Sequence, residues 1–186
     1  SRQTSTVSKV LLHGEEVDEA FSPMAVTLTL EDEIDVSRGD MLAPVNNAPT
    51  MGNEVEAMVV WMHDKPAEQG RSYLIKQATN VVPGVLTDIR YKMDVNNLRK
   101  EAGEAKSLEI NEFGRCHVTL HRPIAFDPYD RNRATGSFII IDRLTNVTVG
   151  AGMIIDGVVR EEPAGPNSKN IAEARGTVRR EDRESM

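Results

Sequence analysis

Along most of the chain, apolar and polar residues alternate with a period of two, the spacing of strands that bury one face. Val26, Leu28 and Leu30 alternate with Thr27 and Thr29. Val55-Glu56-Ala57-Met58-Val59-Val60-Trp61-Met62 begins as an alternation and ends as a continuous apolar run, as a strand buried on both faces would. The same pattern predicts strands at Val7–Leu12, Met41–Ala43, Ser72–Lys76, Val81–Tyr91, Arg115–Leu120, Phe138–Arg143 and Val147–Ile155. Turn signals punctuate them: Arg38-Gly39-Asp40, Pro66 with Gly70, Pro83-Gly84, Asp127-Pro128 and Thr135-Gly136. Many short strands with such punctuation predict an all-β barrel or sandwich.

Helical signals are few. Asn97–Ala102 has the composition for a turn or two of helix before Gly103, and Ser168–Arg175 for a short surface helix with Ser168 as its N-cap. Pro44, Asn46, Asn47, Pro49 and Gly52 mark a linker between two units. From about Glu161 the chain has two prolines, mixed charges and almost no large apolar residues, which predicts a loosely held tail.

Charge supports a division into two units. Residues 13–68 carry thirteen acids and two bases, whereas residues 69–156 carry twelve bases and ten acids. The whole chain of 186 residues has a formal net charge of −7, which argues against a nucleic-acid backbone as its main partner. One cysteine, Cys116, rules out an internal disulfide and a CxxC metal knuckle. No apolar run approaches the ~20 residues that span a bilayer, and the opening Ser1–Thr6 lacks the apolar core of a signal peptide. A soluble cytoplasmic protein with no membrane partner is the default expectation.

There is no Gly-Lys dipeptide, so a GxxxxGK[ST] phosphate loop has no seat. Gly150-Ala151-Gly152 opens like a dinucleotide fingerprint, but Ile155 stands where the third glycine belongs, so close backbone packing or a bulge is the better reading. His117 and His121 fall on one strand face, and four residues of strand span about 13 Å, too far for two ligands of one zinc. Cys116 and His117 point to opposite strand faces, which defeats a nucleophile–base pair. These residues give no catalytic, cofactor or metal site. What remains is two polar clusters: Asp88–Asn97 around Ile89, Tyr91 and Val95, and Asp142–Asn146 between two apolar strands. They read either as ion pairs and turn bonds at barrel corners or as a recognition surface.

Three stretches carry a family resemblance. Thr27–Asp40, with its acidic Glu31-Asp32-Glu33 and its Arg38-Gly39 turn, resembles the end of the second domain of the large, GTPase-bearing subunit of bacterial heterodimeric sulfate adenylyltransferase. Ile89–Leu98 and Phe138–Met153 resemble motifs of its third domain. The wider relatives are translational GTPases such as elongation factor Tu. The resemblance implies two antiparallel β-barrels of the translation-factor domain two and domain three type, the first of them incomplete. It implies a partial second-domain barrel at residues 1–46, a linker at 47–54, a third-domain barrel at 55–158 and a tail or linker at 159–186.

The function implied is mechanical. In such an enzyme a GTPase domain binds GTP and Mg, while a small catalytic subunit transfers the adenylyl group of ATP to sulfate. The barrels link the two, with no cofactor of their own. The partners implied are therefore the small subunit and the GTPase domain of the same polypeptide. The candidate contact surface is Asp88, Arg90, Tyr91, Asp94, Asn96, Asp142, Arg143 and Asn146. The alternative is a translation-factor-like barrel module that binds RNA or protein.

Overall fold

The computed structural model describes residues 3–93 and 105–158. Its first unit is a three-stranded antiparallel sheet in the order β2–β1–β3. The strands are β1 (Val7–Leu12), β2 (Glu15–Glu16) and β3 (Thr27–Leu30). β1 and β2 are joined by a tight turn at His13-Gly14, both at positive φ. The expected strand at Met41–Ala43 does not form; the Arg38-Gly39-Asp40 turn precedes it, and a single 3-10 turn at Val45–Asn47 follows Pro44.

The second unit is a closed six-stranded antiparallel barrel. Its longest members are β4 (Thr50–Trp61), β7 (Asn80–Met93) and β9 (Phe113–Phe126). The other three are β6 (Ser72–Gln77), β10 (Ser137–Ile141) and β11 (Thr148–Gly157). The order round the barrel is β10–β11–β4–β9–β7–β6, with β6 closing on β10. A two-stranded ribbon, β5 (Ala67–Glu68) with β8 (Ser107–Leu108), lies beside it. The single helical turn α1 (Arg133–Gly136) precedes β10, and the Asn132 side chain caps it by accepting from Ala134 N. Among the described residues no helix is long and apolar enough to cross a membrane.

Alternation fills the barrel. Val55, Ala57, Val59 and Trp61 of β4 point inward and are buried, as are Cys116, Val118 and Leu120 of β9 and Phe138 and Ile140 of β10. Trp61 and Tyr73 meet edge to face, with ring centroids 5.5 Å apart. Closure removes the sheet edges, so every barrel strand has two neighbours.

Several local details differ from the sequence reading. β4 begins at Thr50, inside the stretch expected as a linker, because Thr50, Met51 and Gly52 pair with Phe126, Ala125 and Ile124. Pro83-Gly84 is not a turn but runs through β7; the turn lies instead between Gln77 and Asn80. Gly84 is needed there, since a Cβ would come within 2.9 Å of both Ile75 and Leu120. His121 falls in a bulge of β9, where residues 120–123 have no partners on β4. The expected helix at Asn97–Ala102 and the tail with Ser168–Arg175 lie outside the described residues.

Candidate functional site: a charged face of the barrel

Outward residues of β4, β9 and β7 form a charged ladder. On β4, alternation turns Glu54 and Glu56 away from the core that Val55 and Ala57 fill, yet neighbouring side chains leave both carboxylates buried. Glu56 pairs in register with His117 of β9, which in turn pairs with Asp88 of β7. β7 carries register shifts at Thr87 and at Arg90. Bulges turn side chains away from strict alternation, which explains why Thr87, Asp88 and Arg90 are all exposed.

Glu56 is the centre of this ladder. Its Oε2 accepts from Arg115 at 2.5 Å, and its Oε1 stands 3.1 Å from Arg90 Nε, so one carboxylate reaches from β4 across β9 to β7. The Arg115 bond, more than the burial that opposes it, holds the Glu56 carboxyl below the usual carboxylate range. Arg115 is likewise held more firmly protonated, chiefly by Glu56 and next by a hydrogen bond with Tyr91. Beside this group the Thr87 hydroxyl lies 3.2 Å from His117 Nδ1, and His117 Nε2 lies 3.6 Å from Glu54 Oε2.

A second group occupies the β10–β11 turn. Asp142 Oδ1 accepts from the backbone N–H groups of Leu144 and Thr145, at 2.9 and 3.0 Å, and from the Thr145 hydroxyl at 3.2 Å. Its Oδ2 accepts from Arg71 at 2.7 Å. The Thr145 and Leu144 N–H groups, with smaller help from Arg71, hold the Asp142 carboxyl below its ordinary range. Asn146 completes the turn at φ +57°, a left-handed conformation that asparagine tolerates better than most residues. Arg143 points out and donates to the Ser72 hydroxyl at 3.2 Å.

The candidate residues thus fall into two groups. Asp88, Arg90 and Tyr91 belong to the ladder; Asp142, Arg143 and Asn146 belong to the turn, and the bonds described stay within each group. Asp142 staples the turn rather than facing outward, while Arg90 and Arg143 present guanidinium groups to solvent. Asp94 and Asn96 lie outside the described residues. Sequence reasoning missed Glu56, Arg115 and His117. The alternation around Val55 already placed Glu56 outside, but only the register shows that it meets Arg115 and Arg90. Cys116 is fully buried, and burial pushes its thiol up to about 12. Among the described residues no three His, Cys, Asp or Glu side chains come together as a metal-ligand set.

Residues 54–155 match the model of the GTP-eEF1A C-terminal domain-like family. The chain is similar to a protein named bifunctional enzyme CysN/CysC from Rhodopirellula baltica, at 50% identity over 84% of this chain and 24% of that protein. It is similar to sulfate adenylyltransferase subunit 1 of a Sulfurovum species, at 50% identity over 77% of this chain and 29% of that protein. The chain therefore spans well under half the length of these relatives. Among solved structures, that of sup35 complexed with GDP has the same fold, with a TM-score of 0.75 at 19% identity, covering 84% of this chain and 38% of that one.

Proposed function

Because this chain belongs to the GTP-eEF1A C-terminal domain-like family, we propose that it is the β-barrel part of a sulfate adenylyltransferase large subunit and acts as a mechanical link. On this reading GTP and Mg are bound by a GTPase domain elsewhere in the longer polypeptide. The small catalytic subunit moves the adenylyl group from ATP to sulfate and releases pyrophosphate. The barrel conveys the state of the first to the second and holds no cofactor itself. The observation that carries the reading is the similarity to sulfate adenylyltransferase subunit 1, which extends over most of the chain.

The ladder is the coupling surface on this reading, with Arg143 at the neighbouring turn. A link requires a contact that two states can bias differently. The half-exposed Arg90 contact suits that task, since an ion pair with one partner at the surface contributes little by itself and can be exchanged while the more buried Arg115 contact holds Glu56. Arg90 is suited to it: it is half exposed and already shares Glu56 with Arg115. Asp88 and Tyr91 flank it, Asp142 and Asn146 shape the turn that carries Arg143, and Asp94 and Asn96 follow in the sequence.

The test uses the full-length polypeptide with its small subunit. Wild-type enzyme should form adenosine 5′-phosphosulfate from ATP and sulfate faster when GTP is hydrolysed. Arg90→Ala combined with Arg143→Ala should leave GTP hydrolysis in place but weaken its drive on adenylyl transfer. Unchanged coupling would remove these two residues from the surface, and no sulfate-dependent activity in the wild type would end the reading.

A further inference from the structure

The outside of the barrel has two characters. Over β9 and β7 it is the charged ladder. Across β6, β10, β11 and the second half of β4 it is an open groove of about 530 Å³ lined by Met58, Val60, Ile139, Ala151 and Met153. The register makes these one surface: Met153 pairs with Met58 on one side and Ser137 on the other, and Ala151 pairs with Val60 and Ile139. These are outward positions, since Ala57, Val59, Phe138 and Ile140 between them fill the core. Outward strand positions in water are ordinarily polar, and a contiguous apolar patch there marks a contact surface.

The groove has a wall that is built in advance. Tyr129, from the connection between β9 and β10, closes one side, and its backbone N–H donates to Ile154 O at 2.8 Å. Thr135 donates to Asp127 at 2.8 Å across the same connection. Gly136 packs so closely on the backbone of Tyr129 that a Cβ would come within 2.5 Å of its Cα. A preformed groove spares a ligand the cost of ordering it.

Two cations stand at the groove. Lys76 of β6 lines it, and Arg133 lies over the Tyr129 ring, 5.9 Å from the centroid. Neither takes part in the ion pairs formed among the described residues. An apolar trough with positive charge beside it is complementary to a segment that carries large apolar side chains and carboxylates.

We infer that this groove seats an acidic, apolar segment of the small catalytic subunit, an inference that rests on the function proposed above. The division of surfaces favours that occupant over the GTPase domain. Contacts between domains that move are small and polar, as the ladder is, whereas subunits that stay together bury apolar surface.

The experiment titrates the purified small subunit into the full-length polypeptide and reads affinity by calorimetry. Two variants probe the groove from different sides: Met153→Asp, and Lys76→Glu combined with Arg133→Glu. All three positions are exposed, so each variant should keep the barrel, which circular dichroism checks. Lys106→Glu, a charge reversal outside the groove, sets the baseline. We expect each groove variant to weaken binding by about tenfold or more relative to that baseline. Wild-type binding with both groove variants at the baseline overturns the groove assignment and leaves the proposed function standing. No binding by the wild-type full-length polypeptide overturns the inference together with the association it rests on.

Discussion

Asn80 donates from its side-chain Nδ2 to the carbonyl oxygen of Gly39 at 2.8 Å, which ties the start of β7 to a turn 41 residues earlier. Arg131 makes a parallel connection to Asn47. Gly39 sits at φ +103°, and a Cβ there would lie 2.5 Å from Asn80 Oδ1. The Arg38-Gly39-Asp40 turn is thus shaped to receive Asn80, and Ser37 N closes it by donating to Asp40 at 2.8 Å.

Gly39→Ala should destabilise the chain by about 1–2 kcal/mol, because the backbone is left-handed and the new methyl crowds Asn80. Urea unfolding measures it. Adding Asn80→Ala removes the clash but not the backbone strain, so the double variant should cost less than the sum of the single ones. Strict additivity would show that the two residues do not interact.

Gly152 lies against the face of the Phe138 ring, where any Cβ would overlap the aromatic carbons. Phe138 is a buried core residue, so the ring has little room to retreat. Gly152→Ala should cost about 1–3 kcal/mol by overpacking, and Phe138→Leu in the same chain should restore part of it. A thermal melt of Gly152→Ala indistinguishable from wild type would refute this packing.

Glu56→Gln should cost about 1–3 kcal/mol at pH 7, since Arg115 and Arg90 lose the carboxylate between them. The pH dependence has a definite sign. The Glu56 carboxyl is held below its ordinary range in the folded state. Its contribution is therefore complete above the unfolded-state value, near 4.3, and is lost as pH falls through the lower folded value. Urea midpoints of wild type and Glu56→Gln should differ most at neutral pH and converge in acid. A constant gap across that range would show that ionisation of Glu56 is not what stabilises the ladder.

Asp142→Ala should loosen the β10–β11 turn without opening the barrel. The N–H groups of Leu144 and Thr145 lose their acceptor, so their amide exchange should accelerate while that of core residues such as Val118 and Ile140 stays slow. Asp142→Asn keeps an oxygen at Oδ1 and should change less. Equal acceleration in both variants would point to charge, through Arg71, as the larger effect.

Much of this architecture could be read from the residue pattern. The pattern in Val55–Trp61, Arg115–Leu120 and Phe138–Arg143 forecast strands of the barrel, the last running two residues past the end of β10 at Ile141, because a period of two tells which side chains can share a core. Pro83-Gly84 shows where local signals mislead. Gly84 beside Pro83 has the local signature of a turn, yet it serves as the thin point that lets Ile75 and Leu120 approach, which depends on residues distant in sequence. The family resemblance likewise pointed to Arg90 and Asp142, but not to what they touch.

The sequence by itself determined that this chain forms strands, which faces of them are apolar, and that Cys116 has no partner for a disulfide. These are properties of neighbours along the chain, set by side-chain periodicity and composition. Only the tertiary structure decided that Glu56 meets Arg115 and Arg90, that Asn80 reaches back to Gly39, and that one side of the barrel is charged while the other is apolar. Those facts follow from register and closure, and a shift of a single residue between strands would exchange one face for the other.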